Sequence, residues 1–152
     1  MQFDISTTVV ANVAHVIQLA VAPVFLLTGI GAMLGVIANR LGRVVDRARV
    51  IEQALPDMAD PERALVEQEL ATLARRGSRI SWATSLCVAS AIFISMVVAA
   101  LFIGAFLSMD VSLVVVGLFI FAMLALIGGL ITFLSEVHLA TMTLRIGAKL
   151  PR

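Results

Sequence analysis

From Val9 to Ala38 the chain carries no Lys, Arg, Asp or Glu, an apolar run longer than the ~20 residues a helix needs to cross about 30 Å of hydrocarbon. Arg40, Arg43, Arg47 and Arg49 then arrive within ten positions, with no break signal between the two regimes. The pattern predicts a spanning helix that continues, uninterrupted, into a charged helix beyond the lipid. Two further runs are apolar enough to span. The expected spans are therefore about 12–38, 80–106 and 112–135. Only Leu107 to Asp110 separates the last two, which makes them antiparallel neighbours.

The polar connection, about 39–79, has a helical period of its own. Leu41, Val44, Ala48, Ile51 and Leu55 recur at spacings of three and four, one apolar stripe on a helix that prolongs the first span. Pro56 disfavours helical geometry in Leu55 and ends it. Asp60-Pro61-Glu62 reads as a new start, with a capping carboxylate, a proline at the first helical position and an acid near the positive end of the dipole. Val66, Leu70, Leu73 and Ile80 then repeat the spacing. Two such stripes joined by a short turn predict an antiparallel helical hairpin. The fold class expected is all-α and integral to the membrane: one membrane domain, 1–152, of three spans with a hairpin extending the first two.

Composition agrees, with 61% hydrophobic and 14% charged residues against the quarter or so charged in soluble domains. Mean hydropathy is +1.06. Charge placement adds orientation. Eight of the eleven basic residues lie in the long connection (Arg40, Arg43, Arg47, Arg49, Arg63, Arg75, Arg76, Arg79) and three in the tail (Arg145, Lys149, Arg152), while the other side has Asp4 and Asp110 alone. The positive-inside rule then puts the N-terminus outside, and the connection and C-terminus in the cytoplasm. No removable signal peptide is expected, since no positive region or small-residue cleavage site accompanies the first apolar segment.

Small residues mark packing faces. Thr28, Gly31, Gly35, Ala38 and Gly42 form a ridge on the first helix, and Gly128 and Gly129, with Ala125, Thr132 and Ser135, form another on the third. The first ridge suits either this chain's own spans or another copy. Ser and Thr within the spans are expected to bond back to their own helices. Pro23 removes one helical hydrogen bond and should kink or loosen the first span.

Charged and polar candidates are few. Arg40, Arg43 and Arg47 on one arm and Arg75, Arg76 and Arg79 on the other converge at headgroup level beside Trp82, the only tryptophan. They are candidates for anionic lipid or a protein partner. Within the connection Arg63 and Glu67 are spaced as an ion pair, as is Asp46 with Arg43 and Arg49. Asn12, His15 and Gln18 near the outer end, with Glu136 at the inner end, could line a polar path. The reading preferred for Glu136 is an ion pair with an arginine that locks the third span to the first.

No HExxH, CxxC, GxxxxGK[ST] or GxSxG pattern occurs, nor paired carboxylates within a span. Two histidines on opposite sides of a bilayer cannot share a metal within one chain. Cys87 alone forms no intrachain disulfide and suits a small buried side chain. No catalytic residue, metal, cofactor or nucleic-acid partner is expected, and an enzyme is disfavoured.

The run APVFLLTGIGAMLGVIANRLGRVVDRAR, residues 22–49, resembles the opening of an uncharacterised bacterial membrane family known only as a domain of unknown function. The similarity extends from about Val16 to about Leu144. What the resemblance implies is fold and location, three spans in a bacterial inner membrane, and it brings no activity, ligand or site residue. The function expected is a self-associating structural or interaction protein with a basic cytoplasmic hairpin. The alternative is a homo-oligomeric ion channel or transporter with its path between subunits, whose flux would respond to replacing His15 or Arg43.

Overall fold

A computed structural model describes residues 2–107 and 109–147, with side chains described for residues 13–138 other than 57, 60 and 108. The side chains of Asn12, Asp60 and Arg145 lie outside that description, as do Lys149 and Arg152 altogether. Helix α1 (Gln2–Ala54), a 3-10 turn at Leu55–Asp57, helix α2 (Asp60–Leu107) and helix α3 (Ser112–Gly147) follow in order, and the fold is all-α.

Helix α1 has 53 residues, about 80 Å at 1.5 Å per residue and more than twice the thickness of hydrocarbon. The transition from Ala38 to Arg40 does not interrupt it, because Asn39, Arg40 and Leu41 carry no breaker and the stripe beginning at Leu41 keeps the same period. Pro23 lies inside it, buried, and the lost backbone donor does not end the helix. The chain turns where proline dictates. Pro56 sits in the 3-10 turn, and Met58 is extended with its N–H donating to the Leu55 carbonyl at 3.4 Å. Helix α2 then starts with the N–H groups of Glu62 and Arg63 both donating to the Ala59 carbonyl, at 3.1 and 3.0 Å.

Between α2 and α3 the Met109 N–H donates to the Gly104 carbonyl at 3.1 Å. Asp110 Oδ1 accepts the Ser112 N–H at 3.0 Å, satisfying an amide that the first turn of α3 leaves open. Hydrogen bonds from Ser112 hold the Asp110 carboxyl below its ordinary value.

The chain forms two compact units. The first joins Met1–Met33 with Cys87–Leu126. Its buried apolar residues include Val16, Ala20, Pro23 and Ile30 of α1, Cys87, Ile94 and Val97 of α2 and Ala122 of α3. Phe93 and Phe121 meet with ring centroids 6.2 Å apart. Gly104 is buried at the end of α2, and a Cβ there would collide with Val111. Ser90 is fully buried, and its Oγ has no hydrogen-bond partner among the described residues.

The second unit joins Leu34–Leu86 with Ile127–Arg152. Among the described residues its buried ones are Ile37 and Ile51 of α1, Ile80 and Ala83 of α2, and Gly129 and Glu136 of α3. The expected stripes are present. Leu41, Val44, Ala48 and Leu55 are half-buried and Ile51 buried, while Val66, Leu70 and Leu73 are half-buried on α2. A Cβ on Gly77 would sit 3.9 Å from Val44 Cγ1. Arg47 Nε and Nη2 donate to Glu69 Oε1 at 3.2 and 3.0 Å, joining α1 to α2. Arg63 and Glu67 form the anticipated pair at 3.1 Å, an exposed contact of a few tenths of a kcal/mol at most. Among the described residues Asp46 pairs with neither Arg43 nor Arg49.

Among the described residues three helices are long and apolar enough to cross a membrane, within Val13–Ala54, Pro61–Leu107 and Ser112–His138. Large apolar side chains point outward on each, among them Phe25, Phe106 and Leu113, all more than 70% exposed. Water-soluble surfaces do not carry apolar area on this scale; lipid is the solvent that accepts it. The hydroxyls conform to that environment. Thr28, Thr84, Ser95 and Thr132 each donate to the carbonyl four residues earlier, at 2.8–3.3 Å, so they leave few unsatisfied groups facing hydrocarbon.

Candidate functional site

The polar centre of the second unit is built on helical spacing. Arg40, Arg43 and Arg47 are separated by three and four residues and share one face of α1, as Arg76 and Arg79 share one face of α2. Together with Val44, Leu73, Ile80 and Glu136, Arg40, Arg43, Arg47 and Arg76 line a cleft of about 250 Å³. Its lining holds four guanidiniums and one carboxylate.

Glu136 of α3 is only 3% exposed, and two arginines of α2 reach it: Arg76 Nε lies 3.7 Å from Oε1 and Arg79 Nε 3.4 Å from Oε2. This corrects the reading that the carboxylate ties the third span to an arginine of the first. Its ion pairs run to α2, because Arg76 and Arg79 present a paired i, i+3 face while Arg40 is engaged elsewhere. The Arg40 guanidinium lies over the Phe133 ring, 5.6 Å from its centroid, a cation–π contact. The tie between α1 and α3 is thus made through an aromatic face. At 3.4–3.7 Å the arginine–glutamate contacts are longer than formed charge-assisted hydrogen bonds, and Glu136 Oε2 has no hydrogen-bond partner among the described residues.

The other anticipated residues fall in distinct places. Arg75 is exposed outside the cleft, and Trp82 is 66% exposed beside the hydroxyls of Ser78, Ser81 and Ser85. His15 and Gln18 are exposed in the first unit. On α1 Thr28, Gly31, Gly35, Ala38 and Gly42 are all exposed, and among the described residues nothing beyond the local helix backbone and chain neighbours lies within 4 Å of where a Cβ on Gly31, Gly35 or Gly42 would stand. On α3 the ridge is occupied: Gly129 is buried, and a Cβ on Gly128 would meet Leu86 Cδ1 at 3.6 Å. Among the described residues no group of three or more His, Cys, Asp or Glu is placed to hold a metal ion.

Two partners escape the sequence reading. Glu69 is signalled by the turn, since reflecting the chain about residue 58 sets 47 opposite 69. Phe133 carries no comparable signal, being one apolar residue in an apolar run.

Three long apolar helices with a basic cluster next to one of them define a multi-pass membrane protein. A family model described as "Protein of unknown function (DUF2721)" matches residues 20–146, and the chain belongs to that family. No curated protein and no solved structure matches it.

Proposed function

We propose that this is a self-associating interaction protein of the bacterial inner membrane rather than an enzyme, with its N-terminus outside and its C-terminus in the cytoplasm. Residues 39–79 form a cytoplasmic helical hairpin that prolongs two spans and offers a basic surface to anionic headgroups or a protein partner. The gathering of all eleven Lys and Arg on one side supports that orientation. Ile51 and Leu73 then lie where water surrounds the helices, and their burial stabilises the hairpin in the ordinary hydrophobic way.

The observation that carries self-association is the open ridge on α1. Helices in lipid associate by close backbone approach, not by excluding water, and glycine ridges permit that approach. The ridge on α3 is filled from within the chain, while Gly31, Gly35 and Gly42 face open space. A second copy brings the same ridge to a two-fold interface. Gly31→Leu with Gly35→Leu is expected to remove most cross-linked dimer and higher species in membranes. Gly117→Leu, at an equally open glycine on α3, leaves them unchanged. A double variant with the wild-type ladder contradicts self-association through α1.

The exposure of His15 and Gln18 favours the second reading, a channel or transporter with its path between copies. A ring of Arg40 and Arg43 would select anions. Absence of ion flux from proteoliposomes of the same cross-linkable preparation sets that reading aside.

A further inference from the structure

We propose that the cleft formed by Arg40, Arg43, Arg47 and Arg76 is a binding site for a phosphate group, carried by a phospholipid headgroup or by a soluble phosphate compound. The proposal deepens the reading above and rests on it only in setting the cleft beside the headgroups. Self-association is not required, so an unchanged cross-linking ladder leaves the site standing.

Charge comes first. The lining carries four guanidiniums against the single carboxylate of Glu136, and it remains net positive when Glu69, which faces Arg47 from outside the cleft, is counted as well. Guanidinium forks match the oxygen spacing of phosphate, which makes arginine the usual residue for planar two-point recognition. A volume of about 250 Å³ lies below the range of sites for drug-sized ligands and suits a compact anionic group.

Preorganisation comes second. Arg40 is held over Phe133, Arg47 is anchored by two donors on Glu69, and Arg76 reaches the buried Glu136. Three of the four cations are therefore positioned before any ligand arrives, which lowers the ordering cost of binding. Arg43 differs from them. It is exposed, lines the same cleft, and forms no ion pair or ring contact among the described residues. Like charges gathered in this way repel one another, and a bound oxyanion relieves that repulsion. Val44, Leu73 and Ile80 supply apolar walls, against which the attraction is screened less than on an open surface.

The test uses the full chain in nanodiscs. In one arm the lipid is phosphatidylcholine alone and pyrophosphate is titrated by calorimetry. In the other no soluble phosphate is present, and thermal unfolding is compared between phosphatidylcholine discs and discs doped with phosphatidylglycerol. Binding in the first arm assigns the site to a soluble phosphate compound; stabilisation confined to the second assigns it to a headgroup. In whichever arm responds, Arg43→Gln weakens the response by about tenfold or more, as expected for losing a charge-assisted hydrogen bond. Arg43→Lys, which keeps the charge without the fork, gives a smaller loss. Arg49→Gln removes the same charge outside the cleft and changes the response by no more than about twofold. Unaltered Trp82 emission and helical circular dichroism verify that each variant is folded. No response in either arm, or equal losses in the Arg43 and Arg49 variants, overturns the site in favour of diffuse attraction.

Discussion

Replacing both Arg76 and Arg79 by alanine is expected to lower the stability of the purified protein by about 3 kcal/mol. Glu136 is almost wholly enclosed, and its two oxygens are reached by those two guanidiniums. Deleting both leaves a buried carboxylate without its counter-charges, and such a charge costs far more than the pair contributes while intact. The cost is asymmetric. Glu136→Gln removes the charge but keeps the shape, and side chains that are 24% and 41% exposed can turn their guanidiniums toward solvent. That variant is expected to lose only about 1 kcal/mol, and the triple variant Arg76→Ala, Arg79→Ala, Glu136→Gln recovers much of what the double variant loses. Unfolding in mixed micelles measures all three. Equal effects of Glu136→Gln and the double arginine variant would show that the carboxylate does not depend on these partners.

The second large effect lies where α2 ends. Alanine in place of an unconstrained helical glycine gains up to about 1 kcal/mol, but at Gly104 the sign reverses. A Cβ there meets Val111, including the Val111 Cβ itself at 3.3 Å, and that atom cannot be moved by turning a side-chain torsion. The connection through Met109 and Asp110 must shift, disturbing the hydrogen bond from the Met109 N–H to the Gly104 carbonyl. Gly104→Ala is expected to destabilise by about 1–3 kcal/mol, the usual cost of overpacking. Gly117→Ala, with open space at its Cβ, is neutral or mildly stabilising. The pair isolates contact from helix propensity, since both glycines lie in apolar helices of one unit.

Much of the architecture was legible because lipid imposes strong rules. A run without charge from Val9 to Ala38, followed by arginines without a breaker, has few other physical solutions than one long helix. Pro56 was legible as a break because proline lacks the backbone donor that an α-helix needs, and α1 gives way there to the 3-10 turn; Leu55 itself stays in that turn and the chain becomes extended only at Met58. The stripes at Leu41–Leu55 and Val66–Ile80 were legible because a helix with one apolar face and one polar face repeats its apolar residues at spacings of three and four. Within lipid that logic fails. From Leu113 to Ile131 every face of α3 is apolar, so periodicity does not reveal which residues turn inward, and neither Phe133 under Arg40 nor Ala122 in the core was anticipated.

The site was legible as a composition and not as a geometry. Sequence gathered the six arginines at one level, but its spacing did not separate Arg40, Arg43, Arg47 and Arg76, which line the cleft, from Arg75, which does not. The partner of Glu136 was misassigned for a related reason. Several arginines lie at the right depth, and the choice among them depends on helix rotation. Glycines posed the same difficulty, because the ridges of α1 and α3 read alike although Leu86 lies against Gly128 and no atom lies near Gly31 or Gly35.

All of these assignments turn on α1 leaving the lipid on the cytoplasmic side and the chain returning through the turn at Pro56. A cysteine placed at Ala59, an exposed position beside that turn, tests this directly, because the native Cys87 is fully buried and adds no background. A membrane-impermeant maleimide should label Ala59→Cys in inside-out vesicles and leave it unmodified in intact spheroplasts. Labelling in the spheroplasts would put the turn on the outer face and contradict the account.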